Sequence, residues 1–221
     1  MFIGHYGVAL GLKKVEKTVS LGLLFLAVQL VDILWTVLVL LGIEKVAIVP
    51  GVTAANPLNF VYYPFTHSLL MSVVWAGVVY LLFRYLPFKA GWQKGRVALI
   101  MGIAVLSHFF LDVLMHRPDL PLAFGSDSSK LGLGLWNYPA VSYLFEAVVF
   151  LVGVWIYLKS TSPVGVIGKY GMVVFAFLLL VFNMLNLFGP PPPNVQMVAA
   201  SGLVFYLLLA GAAFWLDKKR A

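Results

Sequence analysis

Four histidines and eight acidic residues are the chain's whole stock for metal binding or acid–base work, because it contains no cysteine. Asp32, Asp112, Glu146 and His108 stand inside long apolar runs, His67 opens one such run and His116 closes another. A charged carboxylate at mid-bilayer costs about 2.5–3.5 kcal/mol on insertion scales, so each of these acids needs a partner or a cavity. His108, Asp112 and His116 follow i, i+4, i+8 and fall within about 80° on one helical face. Asp119 would join that face, but Pro118 ends the helix near Arg117. Gln29, Asp32 and Thr36 line a face of the first run, and Glu146 sits on the second turn of the fourth. Without thiolates, a metal must be held by imidazole and carboxylate, donors that suit Zn, Mn or Fe.

Taken singly, each residue has a plainer role. The His108/Asp112 pair could be hydrogen-bonded packing or a proton relay, His67 a cap, Glu146 a proton carrier or bundle cross-link, and His5 a surface residue. Their convergence argues otherwise. At about 1.5 Å of rise per residue, Asp112 and His108 lie roughly 5–11 Å below the outer helix end, Glu146 roughly 10 Å and Asp32 roughly 17 Å, and His5, climbing from Lys13, comes near the level of Asp32 from the other side. One or two divalent ions held by His5, Asp32, His67, His108 and Asp112 are expected, with His116 and Asp119 as possible additional ligands.

The elements that position these side chains follow from composition. The chain of 221 residues is 62% hydrophobic and 10% charged, with a mean hydropathy of +0.99; a soluble domain carries roughly 25% charged residues. That much apolar surface needs lipid as solvent. The expected fold is all-α: a single membrane-embedded domain, 1–221, of about six transmembrane helices, at 19–43, 66–86, 97–115, 140–158, 170–188 and 196–216. Residues 1–12 are apolar but too short to cross, and predict a half-helix descending within the bundle; an amphipathic surface segment is the alternative. Their position before Lys13, Lys14 and Lys17 reverses the order of a cleaved leader, so none is expected.

A net charge of +7 would suit nucleic acid, but the basic residues are scattered through short loops, as in membrane proteins, and no nucleic-acid partner is expected. Lys13, Lys14, Lys17, Arg84, Lys89, Lys94, Arg96, Lys159, Lys169, Lys218, Lys219 and Arg220 fall on one side, against Lys45, Arg117 and Lys130 on the other. By the positive-inside rule both termini are cytoplasmic, and loops 44–65, 116–139 and 189–195 lie outside. The first two are long, patternless and of the length that binding loops take. Residues 190–193 form a stiff polyproline spacer. No internal repeat is visible, which argues against an inverted-repeat transporter.

The stretches GHYGVALGLKK (4–14), FLAVQLVDILW (25–35), YYPFTHSLLMSVVWA (62–76), LSHFFLDVLMHRPDLPL (106–122) and LGLGLWNYPAVSYLFEAVVFLVGVWIYL (131–158) carry a resemblance. The chain resembles the predicted membrane-bound metal-dependent hydrolases of bacterial and archaeal cytoplasmic (inner) membranes. The order early His, Asp, His, then His-x-x-x-Asp is similar to the ligand order of zinc-dependent phospholipases C. The resemblance implies His5, Asp32, His67, His108 and Asp112 as ligands, with Glu146 in place of a later ligand Glu. Two features depart from the pattern. No Arg precedes His67, and Ser142 rather than His stands four residues before Glu146.

The expected activity is therefore metal-dependent hydrolysis of a phosphoester, on a small-molecule or lipid-linked substrate reached from membrane lipid in the outer half of the bilayer. Asp32 or Glu146 would be ligand or general base, and a second ion or Arg117 would meet the phosphoryl oxygens; Arg117 could equally be an interfacial snorkelling residue. The rival expectations are an ion- or proton-coupled transporter using the intramembrane carboxylates, and a non-catalytic scaffold or metal sensor.

Overall fold

Apolar runs that cannot find water must close their backbone hydrogen bonds within themselves, and the computed structural model is accordingly helical over most of its length. It describes residues 1–87, 92–125 and 128–221. Lys89, counted above among the basic loop residues, lies outside the described set. In chain order the helices are α1 (Ile3–Val15), α2 (Leu21–Val28), α3 (Leu30–Leu40), α4 (Pro64–His67), α5 (Leu69–Tyr85), α6 (Lys94–Met115), α7 (Pro139–Ser160), α8 (Gly165–Phe188) and α9 (Val195–Asp217).

Among the described residues α6, α7, α8 and α9 are long and apolar enough to cross a membrane, and α2 with α3 makes a fifth crossing if the bent pair is one span. The six expected crossings thus become four or five, because α5 has 17 residues, about 26 Å of rise against a hydrocarbon core of about 30 Å. Large apolar side chains point outward along these helices: Phe177 is 63% exposed and Leu144 63%. Such a surface belongs in lipid, so the protein is a membrane protein.

Three departures from the expected architecture have clear physical reasons. The first run is not one straight helix: α2 and α3 meet at 55° around Gln29. Neither Pro nor Gly is there to cause it. Instead the Val28 carbonyl accepts a hydrogen bond from His108 Nδ1 at 2.7 Å, so a side chain enters the backbone ladder. The loops 44–65 and 116–139, expected to be patternless, hold two antiparallel ribbons: β1 (Lys45–Ile48) with β2 (Leu58–Tyr62), and β3 (Leu120–Pro121) with β4 (Lys130–Leu131). The β-branched and aromatic residues of KVAI and LNFVY suit a pleated surface better than a free loop. Thirdly, Lys13 is not a solvated orienting charge. Its Nζ is buried at the end of α1 and donates to Asp217 Oδ2 (2.8 Å) and to the carbonyls of Lys17 and Val19 (3.0 and 2.8 Å). Asp217 also accepts from the Leu21 amide and the Tyr157 hydroxyl, which ties α1, α2, α7 and α9 together at the basic end of the bundle.

The short helix α1 is embedded among its neighbours, with Ile3, His5 and Tyr6 at 0% exposure. Its seat on α7 depends on two glycines: a Cβ on Gly7 would strike the Val149 backbone, and one on Gly153 would strike Gly7 itself. Small residues let helix backbones approach this closely. α1 also packs on α2 and α6, and α5 packs along α6. These contacts bring His5 beside the last turns of α6.

Candidate metal centre

Four local structures each deliver part of the cluster. On α6, the i, i+4 spacing stacks His108 and Asp112 on one buried face, and both are 1% exposed. α6 stops at His116, whose backbone turns extended, because Pro118 two residues on cannot continue a helix. The break at Gln29 places Asp32 in the first turn of α3, where the helix dipole favours a carboxylate. His67 ends the single turn α4, which opens with Pro64; Ser68 then leaves the helical region and caps α5 by accepting from the Met71 amide at 3.1 Å. Finally, α1 lays the His5 ring flat on His108, centroids 3.8 Å apart and planes 4° from parallel.

The donor atoms converge. His108 Nε2 lies 3.1 Å from Asp112 Oδ2 and 3.5 Å from Asp32 Oδ1. His67 Nε2 lies 3.2 Å from Asp32 Oδ1 and 3.8 Å from Asp112 Oδ2. His5 Nε2 is 3.2 Å from Asp112 Oδ1, an oxygen that also takes the Met1 amine at 2.6 Å. Two sets of three ligand atoms lie mutually within 4.8 Å: His67, His108 and Asp112, and His5, Asp32 and His108. An ion with bonds of about 2.0–2.2 Å has tetrahedral edges of about 3.3–3.6 Å, the range these separations straddle.

Protonation makes the fit chemical as well as metric. His108 Nδ1 donates to the Val28 carbonyl. His67 Nδ1 lies 2.7 Å from Thr66 Oγ1, whose own hydrogen goes to Glu44 Oε2 at 2.7 Å, so Nδ1 is the donor there. In the neutral rings both Nε2 atoms then carry lone pairs. They face carboxylate oxygens, an arrangement of acceptors against acceptors that a cation between them would satisfy. His108 Nε2 and both His5 nitrogens are buried without a hydrogen-bond partner among the described residues. The buried His/Asp groups could thus hold a metal ion. His108 is common to both three-residue sets and offers only Nε2, so two ions could not both use it.

Comparison with family models, with curated proteins and with solved structures gives no match for this chain.

The remaining candidates sit around this centre. His116 is at its rim, with Nε2 3.9 Å from Asp112 Oδ2 and Nδ1 2.9 Å from Asp119 Oδ1. Asp119 is directed at His116, Tyr63 (2.9 Å) and Arg117 (3.1 Å) rather than at the other histidines. Burial pushes the Asp119 carboxyl up, but His116 first, then Tyr63 and Arg117, pull it below the usual carboxylate range. Arg117 pairs with Asp119 and with Asn59 on β2. Glu146 is buried against the first turn of α1, where its Oε2 accepts from the Phe2 and Gly4 amides at 2.8 and 3.3 Å. Phe60, Tyr63 and Trp136 roof the cluster; the His116 ring lies 4.9 Å from Phe60 and 4.3 Å from Trp136.

Sequence reasoning missed the supports. Glu44, 1% exposed, caps α4 through the Phe65 and Thr66 amides and holds the Thr66 hydroxyl that orients His67. Tyr206 on α9 approaches Asp32 Oδ2 at 3.4 Å, while Gln29, already placed on the Asp32 face by its spacing, approaches the same oxygen at 3.3 Å. No spacing rule connects Glu44 with His67 or Tyr206 with Asp32, since each pair joins separate segments.

Proposed function

We propose that the protein is a metal-dependent hydrolase of a phosphoester, embedded in the cytoplasmic membrane with its site in the outer half of the bilayer and both termini in the cytoplasm. The reading takes the α5 helix as a sixth crossing and the chain as one of the membrane-bound metal-dependent hydrolases it resembles. Zn is the first choice of ion, with Mn or Fe also compatible with imidazole and carboxylate donors. The observation that carries it is the pair of Nε2 atoms, on His67 and His108, each within 3.8 Å of both Asp32 and Asp112.

A divalent ion supplies Lewis acidity, making water a nucleophile near neutral pH and neutralising phosphoryl charge. His67, His108 and Asp112 would hold it, with Asp32 beside both imidazoles and His5 stacked on His108. Asp32 is the base. Its side chain is 14% exposed while that of Asp112 is 2% exposed, so it has the open edge from which a proton can be taken. Glu146 holds the start of α1, and so His5, in place. Arg117 retains donors beyond those used on Asp119 and Asn59, and offers them to a phosphoryl oxygen at the outer rim. A substrate anchored in lipid reaches this depth laterally, which favours a phospholipid or lipid-linked phosphoester.

Elemental analysis of detergent-purified protein, paired with hydrolysis assays on bis-p-nitrophenyl phosphate and on phospholipids, tests the proposal. Expected are about one transition-metal ion per chain, turnover abolished by chelation, and loss of both metal and turnover in His108→Ala. Metal without turnover on any phosphoester would leave a sensor or scaffold. Metal-free protein whose histidine variants behave as wild type would end the hydrolase reading, and gradient-driven uptake in proteoliposomes would replace it with the transporter.

A further inference from the structure

At the opposite end of the bundle from the histidines, a cavity of about 430 Å³ opens between the end of α1, the turn into α2 and the start of α6. Lys14, Lys17 and Arg96 line it with Thr18 and Gln93. One acid shares the space. Glu16 Oε2 is 3.2 Å from Arg96 Nε, and its Oε1 accepts from the Thr18 amide and hydroxyl, so its charge is spent on the wall itself. Arg96 is further tied to the Val15 carbonyl at 2.6 Å. The ammonium groups of Lys14 and Lys17 are exposed and have no hydrogen-bond or ion-pair partner among the described residues. The cavity therefore carries an uncompensated positive charge, with two hydroxyl or amide side chains, Thr18 and Gln93, beside it.

An apolar track leads away from it. Leu99, Ile103 and Phe110 on α6 are 54%, 43% and 58% exposed. They lie three, seven and fourteen residues beyond Arg96, on the face of the helix that Arg96 occupies. The stripe from Arg96 to Phe110 is about 21 Å long, the length of an extended acyl chain. Val15, 47% exposed, flanks the cavity at the headgroup level. A free anion would need only the basic cavity; the outward apolar side chains on this face, with Ser107 between Ile103 and Phe110 turned onto the Ala104 carbonyl, are what a lipid would add.

We propose that this cavity is a binding site for the phosphate headgroup of an anionic phospholipid, with one acyl chain lying along Leu99, Ile103 and Phe110. Basic pockets at the cytoplasmic ends of membrane helices take anionic headgroups by the same charge matching. The site is separate from the histidine cluster and does not depend on the hydrolase reading.

Native mass spectrometry of the protein in neutral detergent tests this, with dioleoyl-phosphatidylglycerol and dioleoyl-phosphatidylcholine offered in equal amounts. The expected result is one retained phosphatidylglycerol per chain, preferred by about five-fold or more. In the Lys14→Gln/Lys17→Gln variant the preference falls to near one, while thermal unfolding in phosphatidylcholine stays as in the wild type. Glycerophosphoglycerol and millimolar inorganic phosphate, which lack acyl chains, leave the lipid bound. A wild-type chain without preference overturns the proposal whatever the variant does, as does a preference that survives in the variant. Displacement of the lipid by inorganic phosphate overturns the lipid source and leaves a free-anion site.

Discussion

Thr66 illustrates how a residue outside the proposed ligand set can still govern one of its members. Its hydroxyl donates to Glu44 and leaves an oxygen lone pair for His67 Nδ1, which sets the tautomer that turns the Nε2 lone pair toward Asp32 and Asp112. Removing that hydroxyl without changing bulk should let the ring turn or retautomerise. We expect Thr66→Val to weaken zinc binding by about 10–100-fold, read by competition with a chromogenic chelator, and Thr66→Ser to restore most of it. If Thr66→Val binds zinc as tightly as the wild type, the Glu44–Thr66–His67 chain has no part in orienting the ligand. The pairing of His108 with Asp112 was legible in the sequence because i, i+4 spacing alone puts two side chains on one face. The Glu44 support was not, since 22 residues and a β-ribbon separate it from Thr66.

Helix α1 carries His5 into the cluster, and backbone proximity holds it there. Gly7 and Gly153 meet where any Cβ would collide with backbone, which has no rotamer to relieve the clash. Gly153→Ala should therefore push α1 off α7 and carry His5 away from His108. Overpacking of this kind costs about 1–3 kcal/mol, and for a chain of this size that lowers Tm by about 2–12 °C. Differential scanning fluorimetry checks the stability, and metal content measured on the same sample checks the coupling to His5. An unchanged Tm would mean that α1 and α7 can separate without loss. The apolar, non-spanning length of α1 could be read from residues 1–12, whereas its partner could not: the glycines are 146 positions apart and carry no periodic signal.

At the scale of the whole molecule, the ends of the bundle differ in kind. Lys14, Lys17, Arg96 and Lys159 gather at one, while His67, His116 and the two ribbons lie at the other. Because the chain has no cysteine, single-cysteine variants report orientation without background. With a membrane-impermeant maleimide on intact spheroplasts, Lys45→Cys should label at once and Lys159→Cys only after permeabilisation. The reverse pattern would place the histidine cluster toward the cytoplasm and overturn the proposed orientation. A buried ion pair, Lys13 with Asp217, closes the basic end. Removing one partner of such a pair is costly because the other charge is left in an apolar setting.

Composition and local spacing settled what depends on near neighbours in the chain: that lipid must cover much of the surface, that the runs are helical, and that His108 and Asp112 share a face. Tertiary structure alone decided the bend at Gln29, where a carbonyl from α2 meets an imidazole from α6. It alone turned the loop 44–65 into a ribbon that brings Glu44 to Thr66, and took Lys13 out of solvent to meet Asp217. Each of these joins groups 22 to 204 residues apart. Such bonds form only where the path of the backbone has already brought donor and acceptor within about 3 Å, a distance that no short-range pattern encodes.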